Sequence, residues 1–267
     1  MTSSAARTGP APRPAEPHWP AASLLGTLSA KTRDQLIRLG RPVRYEGGER
    51  LLREGDHGSH VFLLLGGWFK VLATTEDGRE ALLAVRSGGD IVGELACFDG
   101  QPRVATVVAA GAGLAKRITR QDFLAALARH EDAAQAVMGV VAGKLRWATR
   151  RRQDFGGSAV STRVARVLGE LARVYGSQCE AGISIGVSLS QPELAALVGA
   201  SEPSVHRVLR SLREDRVIET GYRRILVRDA SELSRIAGAY GDGPPLMASP
   251  RPAPAIPPPP GPSRRPS

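Results

Sequence analysis

The chain has 267 residues, with 36 Lys and Arg against 26 Asp and Glu, for a formal net charge of +10. Its two cysteines, Cys97 and Cys179, exclude a disulfide framework and a four-cysteine zinc or iron–sulfur centre, and 42% hydrophobic residues exclude disorder throughout. Without a leader pattern or a run of roughly 18 apolar residues, the expectation is a cytoplasmic chain with no membrane span, whose basic balance suits a polyanionic partner.

Of 20 prolines, five fall in residues 1–20 and eleven in 243–267, so disordered tails are expected at both ends and the fold between them. Leu24, Leu25 and Leu28, then Leu36, Ile37 and Leu39 after Ser29, suggest short helices. From Val43 to Ile118 the texture is β-rich, with runs at Val61–Leu65, Phe69–Thr74, Ala81–Val85, Val104–Val108 and Leu114–Ile118. Glycine turns such as Gly66-Gly67 and Gly88-Gly89-Asp90 separate them, which predicts a β-sandwich or barrel.

After Asp122 the period becomes helical. Ala134, Val137, Val141, Leu145 and Ala148 form an apolar stripe on one helix, and Ala142 and Gly143 would let a second helix approach. The stripe packs either on its own domain or on a second copy. The dimer seam is preferred here because the stripe runs on into a basic stretch, Lys144 to Arg152. Val164, Val167, Leu168 and Leu171 make the next helical face, and Ile183, Ile185, Val187 and Leu189 alternate as a short strand.

Ser190-Gln191-Pro192-Glu193 has the form of a capping box with proline in the first turn. Leu194, Leu197 and Val198 face inward, and Gly199 ends the helix where a positive φ is expected. Ser201 then caps a second helix with Val205, Val208, Leu209 and Leu212 inward, leaving Glu202, Ser204, His206, Arg207, Arg210 and Arg213 outside. Two short helices joined by a glycine turn, the second basic and polar outside, fit a DNA-reading helix–turn–helix. Val217–Thr220 and Arg224–Val227 pair as a wing through Gly221-Tyr222-Arg223, where Arg223 is placed to meet a phosphate.

Between the β runs lies Val92-Gly93-Glu94-Leu95-Ala96-Cys97-Phe98-Asp99-Gly100-Gln101-Pro102-Arg103-Val104-Ala105-Thr106-Val107. Such a segment can form a short helical turn, in which Glu94 accepts from a sugar hydroxyl and Arg103 neutralises a phosphate. It resembles the phosphate-binding cassette of cyclic-nucleotide-binding domains. Its order, ahead of a long helix and a winged helix–turn–helix, resembles the CRP/FNR family of bacterial transcription regulators from about Leu24 to Gly238.

The resemblance implies an α+β chain with an N-terminal cyclic-nucleotide-binding β-roll (jelly roll), a long dimerisation helix and a C-terminal winged helix–turn–helix. The chain divides accordingly into tails at 1–20 and 241–267, a sensor at 21–130, a dimerisation helix and hinge at 131–156 and a DNA-binding domain at 157–240. It implies a homodimeric, non-enzymatic regulator of transcription that binds double-stranded DNA, engages RNA polymerase and answers to cyclic AMP as an allosteric ligand. No tightly bound cofactor or metal is expected. By position, Gly93, Glu94, Leu95, Arg103 and Val104 would hold the nucleotide, with Thr149 the only hydroxyl near the adenine-contact region.

Val104 stands where bacterial cyclic-AMP receptors usually carry serine; a small apolar residue there resembles the cassette ending of eukaryotic cyclic-AMP domains, and the missing hydroxyl speaks against cyclic GMP. Ser190, Gln191, Ser201, Glu202, Ser204, His206, Arg207, Arg210 and Arg223 would contact DNA. The usual Arg-Glu after the capping serine is replaced by Glu202-Pro203, so the base facing Glu202 is expected to change. The same architecture with another effector, or none, is the alternative; a nucleotide-regulated enzyme is remote. Gly182-Ile183-Ser184-Ile185-Gly186 matches a hydrolase nucleophile pattern but lacks the helix that should follow.

Overall fold

A computed structural model describes residues 19–78, 80–221 and 224–238, so the expected tails lie almost wholly outside it. Ser23 and Ser29 cap two short helices, α1 (Leu24–Thr27) and α2 (Ala30–Arg38), through their hydroxyls. Strands β1 (Arg41–Tyr45), β2 (Arg50–Leu52), β3 (His60–Gly66), β4 (Trp68–Thr74), β5 (Glu80–Ser87) and β6 (Ile91–Val92) precede a short helix, α3 (Glu94–Asp99). Strands β7 (Thr106–Ala109) and β8 (Gly113–Thr119) complete the sensor. They make two antiparallel four-stranded sheets, ordered β1-β8-β3-β6 and β2-β7-β4-β5.

Phe62, Leu64, Phe69, Val92, Val107 and Ala115 pack between these sheets. β1, β2 and β6 went unseen in the sequence reading, and Val104 is 65% exposed ahead of β7 rather than inside a strand.

Helix α4 (Arg120–Arg129) leads into α5 (Glu131–Gly157), the expected long helix. Its apolar residues divide between two faces. Ala133 and Val137 are buried against Leu24, Leu25 and Phe123 of the sensor, whereas Met138 and Leu145 are 71% and 67% exposed. No atom would lie within 4 Å of a Cβ placed on Gly143, so within one chain no helix closes on it.

α5 stops at Ser158, where the backbone turns extended, and α6 (Val160–Tyr175) begins the carboxy-terminal unit. Strands β9 (Gly176–Cys179) and β10 (Gly182–Ile185) are followed by α7 (Gln191–Val198), α8 (Glu202–Glu214), β11 (Ile218–Gly221), β12 (Arg224–Val227) and α9 (Ala230–Ala237). The sheet order is β11-β12-β10-β9. Ser184 lies mid-strand in β10 with no helix after it, so the hydrolase pattern is accidental.

Val164, Leu168 and Leu171 of α6 share one core with Leu194, Leu197, Val205 and Leu209. That core also takes in Leu72, Leu82 and Val85 of β4 and β5, so the carboxy-terminal unit is docked on the sensor. Among the described residues no helix is long and apolar enough to cross a membrane.

Candidate functional site

The cassette runs from β6 through α3 to β7. Gly93 takes φ 84°, a left-handed turn that drives the chain from strand into helix and that a side chain would strain. Glu94 follows at once and is buried, 3% exposed. Its carboxylate accepts from the Lys144 ammonium of α5 at 3.0 Å, and Lys144 also donates to the Ile91 carbonyl at 2.8 Å. Burial pulls the Lys144 pKa below its ordinary value, against the upward pull of Glu94. Asp90, behind them, is pushed up by burial although Arg86 and Lys144 lie near it.

Arg103 is also buried, 4% exposed. Its guanidinium donates to the carbonyls of Gly93 and His60 and fills the space beside Gly58. The side chain read as a phosphate ligand therefore also props the turn that carries Glu94. Leu95 and Val104 are exposed at the cassette rim. Thr149 is set apart from this cluster: it is exposed, five residues beyond Lys144 and so about 140° round the helix. Lys144 of α5 reaches the cassette, although the sequence shows it only as part of a basic stretch. Its spacing was the missed signal, since Lys144 falls seven residues after buried Val137 and thus on the same face.

His60, beneath the cassette, is held to a pKa of about 4 by burial and by the neighbouring Arg117 and Arg103. Its Nδ1 accepts from Arg117 at 3.3 Å, which fits the neutral ring. The unfolded chain takes up this proton near pH 6.5 and the folded one only near 4, so folding stability should fall across that window as pH drops. Urea midpoints measured from pH 7 to 4 should decline less in His60→Gln than in the unaltered chain; parallel curves would refute the assignment.

In the carboxy-terminal unit the capping box forms as read. The Ser190 hydroxyl accepts from the Glu193 amide, and the Glu193 carboxylate accepts from the Ser190 amide at 2.8 Å. Gly199 closes α7 at φ 68°. Ser201 occupies the N-cap of α8, but its hydroxyl donates to the Ser204 hydroxyl at 2.9 Å and caps no amide, which corrects the expected cap.

Val205, Leu209 and Leu212 are buried and Val208 half-buried. Glu202, His206, Arg207, Arg210 and Arg213 are exposed, with Ser204 half-buried beside them. Gln191, Ser201, Glu202 and His206 line one shallow groove between the starts of α7 and α8. Arg210 pairs with Glu214 at 2.9 Å, so of the outward arginines it is already engaged by an acid. Arg223 lies outside the described residues.

The family model described as a cyclic nucleotide-binding domain matches residues 42–130, and that of a Crp-like helix–turn–helix domain matches 162–236. The Cyclic AMP receptor protein of Thermus thermophilus is 30% identical over 193 residues, covering 72% of this chain and 86% of that protein. A CRP-like cAMP-activated global transcriptional regulator of Mycobacterium tuberculosis is 28% identical over 197 residues, covering 74% of this chain and 88% of that one. Among solved structures, a CRP/FNR-family transcriptional regulator from Thermus thermophilus is similar at TM-score 0.61 and 25% identity, covering 75% of this chain and all, 100%, of that one.

Proposed function

The chain belongs to the CRP/FNR family of DNA-binding transcription regulators, with a cyclic-nucleotide-binding domain and no enzymatic relatives among those named, and from that premise we propose that it is a homodimer whose grip on DNA is set by cyclic AMP. The observation that carries the proposal is the Glu94–Lys144 contact, in which the carboxylate suited to a ribose is held by the helix suited to dimerisation. A nucleotide whose hydroxyl bonds Glu94 shares that carboxylate with Lys144, and so bears on α5 directly. The Gly93 carbonyl is joined to Arg103, the group suited to the cyclic phosphate. Such a ligand shifts the balance of two arrangements only by its difference in affinity for them, typically about 1–3 kcal/mol.

The dimer reading keeps Ala134, Val141, Leu145 and Ala148 of the expected stripe but exchanges Val137, which is buried in the chain's own core, for Met138; these recur at alternating spacings of four and three along α5, and the exposed Met138 and Leu145 head outward on this face. Two α8 helices would then enter successive major grooves about 34 Å apart. Arg207 would read a guanine, Glu202 would accept from a cytosine amine, and Ser190, Gln191, Ser204, His206 and Arg223 would serve the edges and backbone. RNA polymerase is the partner expected once the dimer is seated.

The test is a mobility shift on duplexes selected from a random pool, with and without cyclic AMP, beside calorimetric titration of the nucleotide. Binding heat in the unaltered chain, lost in Arg103→Ala, with a half-site altered at the base facing Glu202, is expected. Absence of heat, with DNA binding indifferent to the nucleotide, would replace cyclic AMP with another effector or none.

A further inference from the structure

The β4–β5 hairpin grips the DNA-binding unit through contacts that differ in kind and place. Lys70 of β4 forms an ion pair with Glu193 of α7 at 2.6 Å, and both side chains are largely shielded, 17% and 24% exposed. Glu193 is the capping-box acid, so one carboxylate closes the first helix of the DNA-reading motif and binds the sensor. Burial would raise its pKa, but the hydrogen bonds from Lys70 and Ser190 prevail and hold it low.

Directly across the hairpin from Lys70, the Val85 carbonyl of β5 accepts from the Tyr175 hydroxyl at the close of α6 at 2.8 Å, with the Asp90 carboxylate 3.4 Å from that hydroxyl. The Tyr175 ring meets Trp68 edge-on at 5.3 Å. Two residues nearer the hairpin turn, Arg151 of α5 donates to the Leu83 carbonyl at 2.6 Å and to the Ala196 carbonyl at 3.2 Å, bridging β5 and α7. Leu72, Leu82 and Val85 fill the apolar seam.

This docked arrangement coexists with Glu94 bound to Lys144 and Arg103 bound to backbone, so it is one in which the cassette's own groups are satisfied by protein. Asp90, beside the Tyr175 hydroxyl, also lies within electrostatic reach of Lys144. The grip on the head and the hold on Glu94 therefore meet at one buried cluster.

We infer that the Lys70–Glu193 and Tyr175–Val85 contacts are a latch that keeps the DNA-binding unit docked on the sensor and thereby lowers DNA affinity while the cassette is empty. The inference rests on the reading of the chain as a ligand-controlled DNA binder. Contacts made in only one of two arrangements weight the balance toward it. The break between α5 and α6 supplies the joint, because Ser158 and Ala159 are both extended and Gly156 and Gly157 face open space.

The test uses the full chain without nucleotide, in Lys70→Gln, Tyr175→Phe and the double variant. Tyr175→Phe keeps the ring on Trp68 and removes only the hydroxyl. Small-angle scattering should show a larger radius of gyration in the double variant, and fluorescence anisotropy on a selected duplex should show affinity raised about fivefold by each change. An unchanged scattering profile overturns the latch. A profile that opens while affinity stays level or falls overturns its inhibitory role. Since no nucleotide is present, a chain deaf to cyclic AMP defeats the ligand reading and leaves these outcomes able to judge the latch.

Discussion

Glu94→Ala is expected to lower folding stability by about 3 kcal/mol in the absence of any nucleotide, near the bottom of the range for stripping a buried ion of its partner. The carboxylate is 4% exposed at the side chain and the ammonium 23%, so removing the acid leaves a largely desolvated charge behind. Two features keep the loss from being larger. Lys144 retains the Ile91 carbonyl, and Asp90 stays close enough to share the charge.

The companion variants decide whether the cost belongs to the pair. Lys144→Met should cost a similar amount, because Glu94 then stays buried without its cation. Glu94→Ala combined with Lys144→Met should cost much less than the two single losses together, since neither residue then carries a charge to desolvate. Urea unfolding followed at the tryptophans measures all three. Losses that simply add in the double variant would mean that the two side chains act independently and that the link between cassette and α5 is not energetic.

What the residues announced in advance was mostly local. Ser190-Gln191-Pro192-Glu193 became a capping box because serine, proline and glutamate each suit their own position within a single turn. Gly199 took the left-handed conformation that its place after Val198 requires. Strands β3, β4, β5 and β8 were legible because long apolar runs end at glycines.

β1 was missed for a physical reason. Arg41–Tyr45 is largely exposed and gains its strand geometry from pairing with β8, whose residues lie far along the chain, as in Arg41 with Arg117. β9 shows no apolar alternation in Gly176–Cys179 and depends on β10 for its order.

The site followed the same rule. Glu94 and Arg103 could be named from one short segment, but their partners could not. The Lys144 contact joins residues 50 positions apart and the Arg103–His60 contact residues 43 apart. The stripe on α5 misled in part because period alone cannot say which of two apolar faces meets the chain's own core. Val137 turned inward, while Leu145, eight residues on, turned out.

Gly58→Ala is the sharper probe of the cassette. A Cβ there would fall inside the Arg103 guanidinium, which is buried and bonded to two carbonyls and so cannot step aside without losing them. Hydrogen bonds from a charged group are worth about 1.5–3 kcal/mol each, and part of that returns when the expelled guanidinium meets water, so a net loss of about 2 kcal/mol is expected. In an Arg103→Ala background the same change should cost nothing. Gly58 does not require a positive φ, and an alanine at such a position stabilises by about 0.4–1 kcal/mol through the unfolded chain.

The two changes should thus be strongly coupled, by about 2 kcal/mol or more in a double-mutant cycle read from urea unfolding. Additive losses would mean that the guanidinium is not seated against Gly58 in solution. Nucleotide binding then separates the two duties of Arg103. In Gly58→Ala the guanidinium is already free of the Gly93 and His60 carbonyls, so a cyclic phosphate that uses it no longer has to break those bonds. Cyclic AMP should therefore bind Gly58→Ala at least as tightly as the unaltered chain despite its lower stability, whereas weakening on the scale of Arg103→Ala would assign Arg103 to propping the Gly93 turn alone.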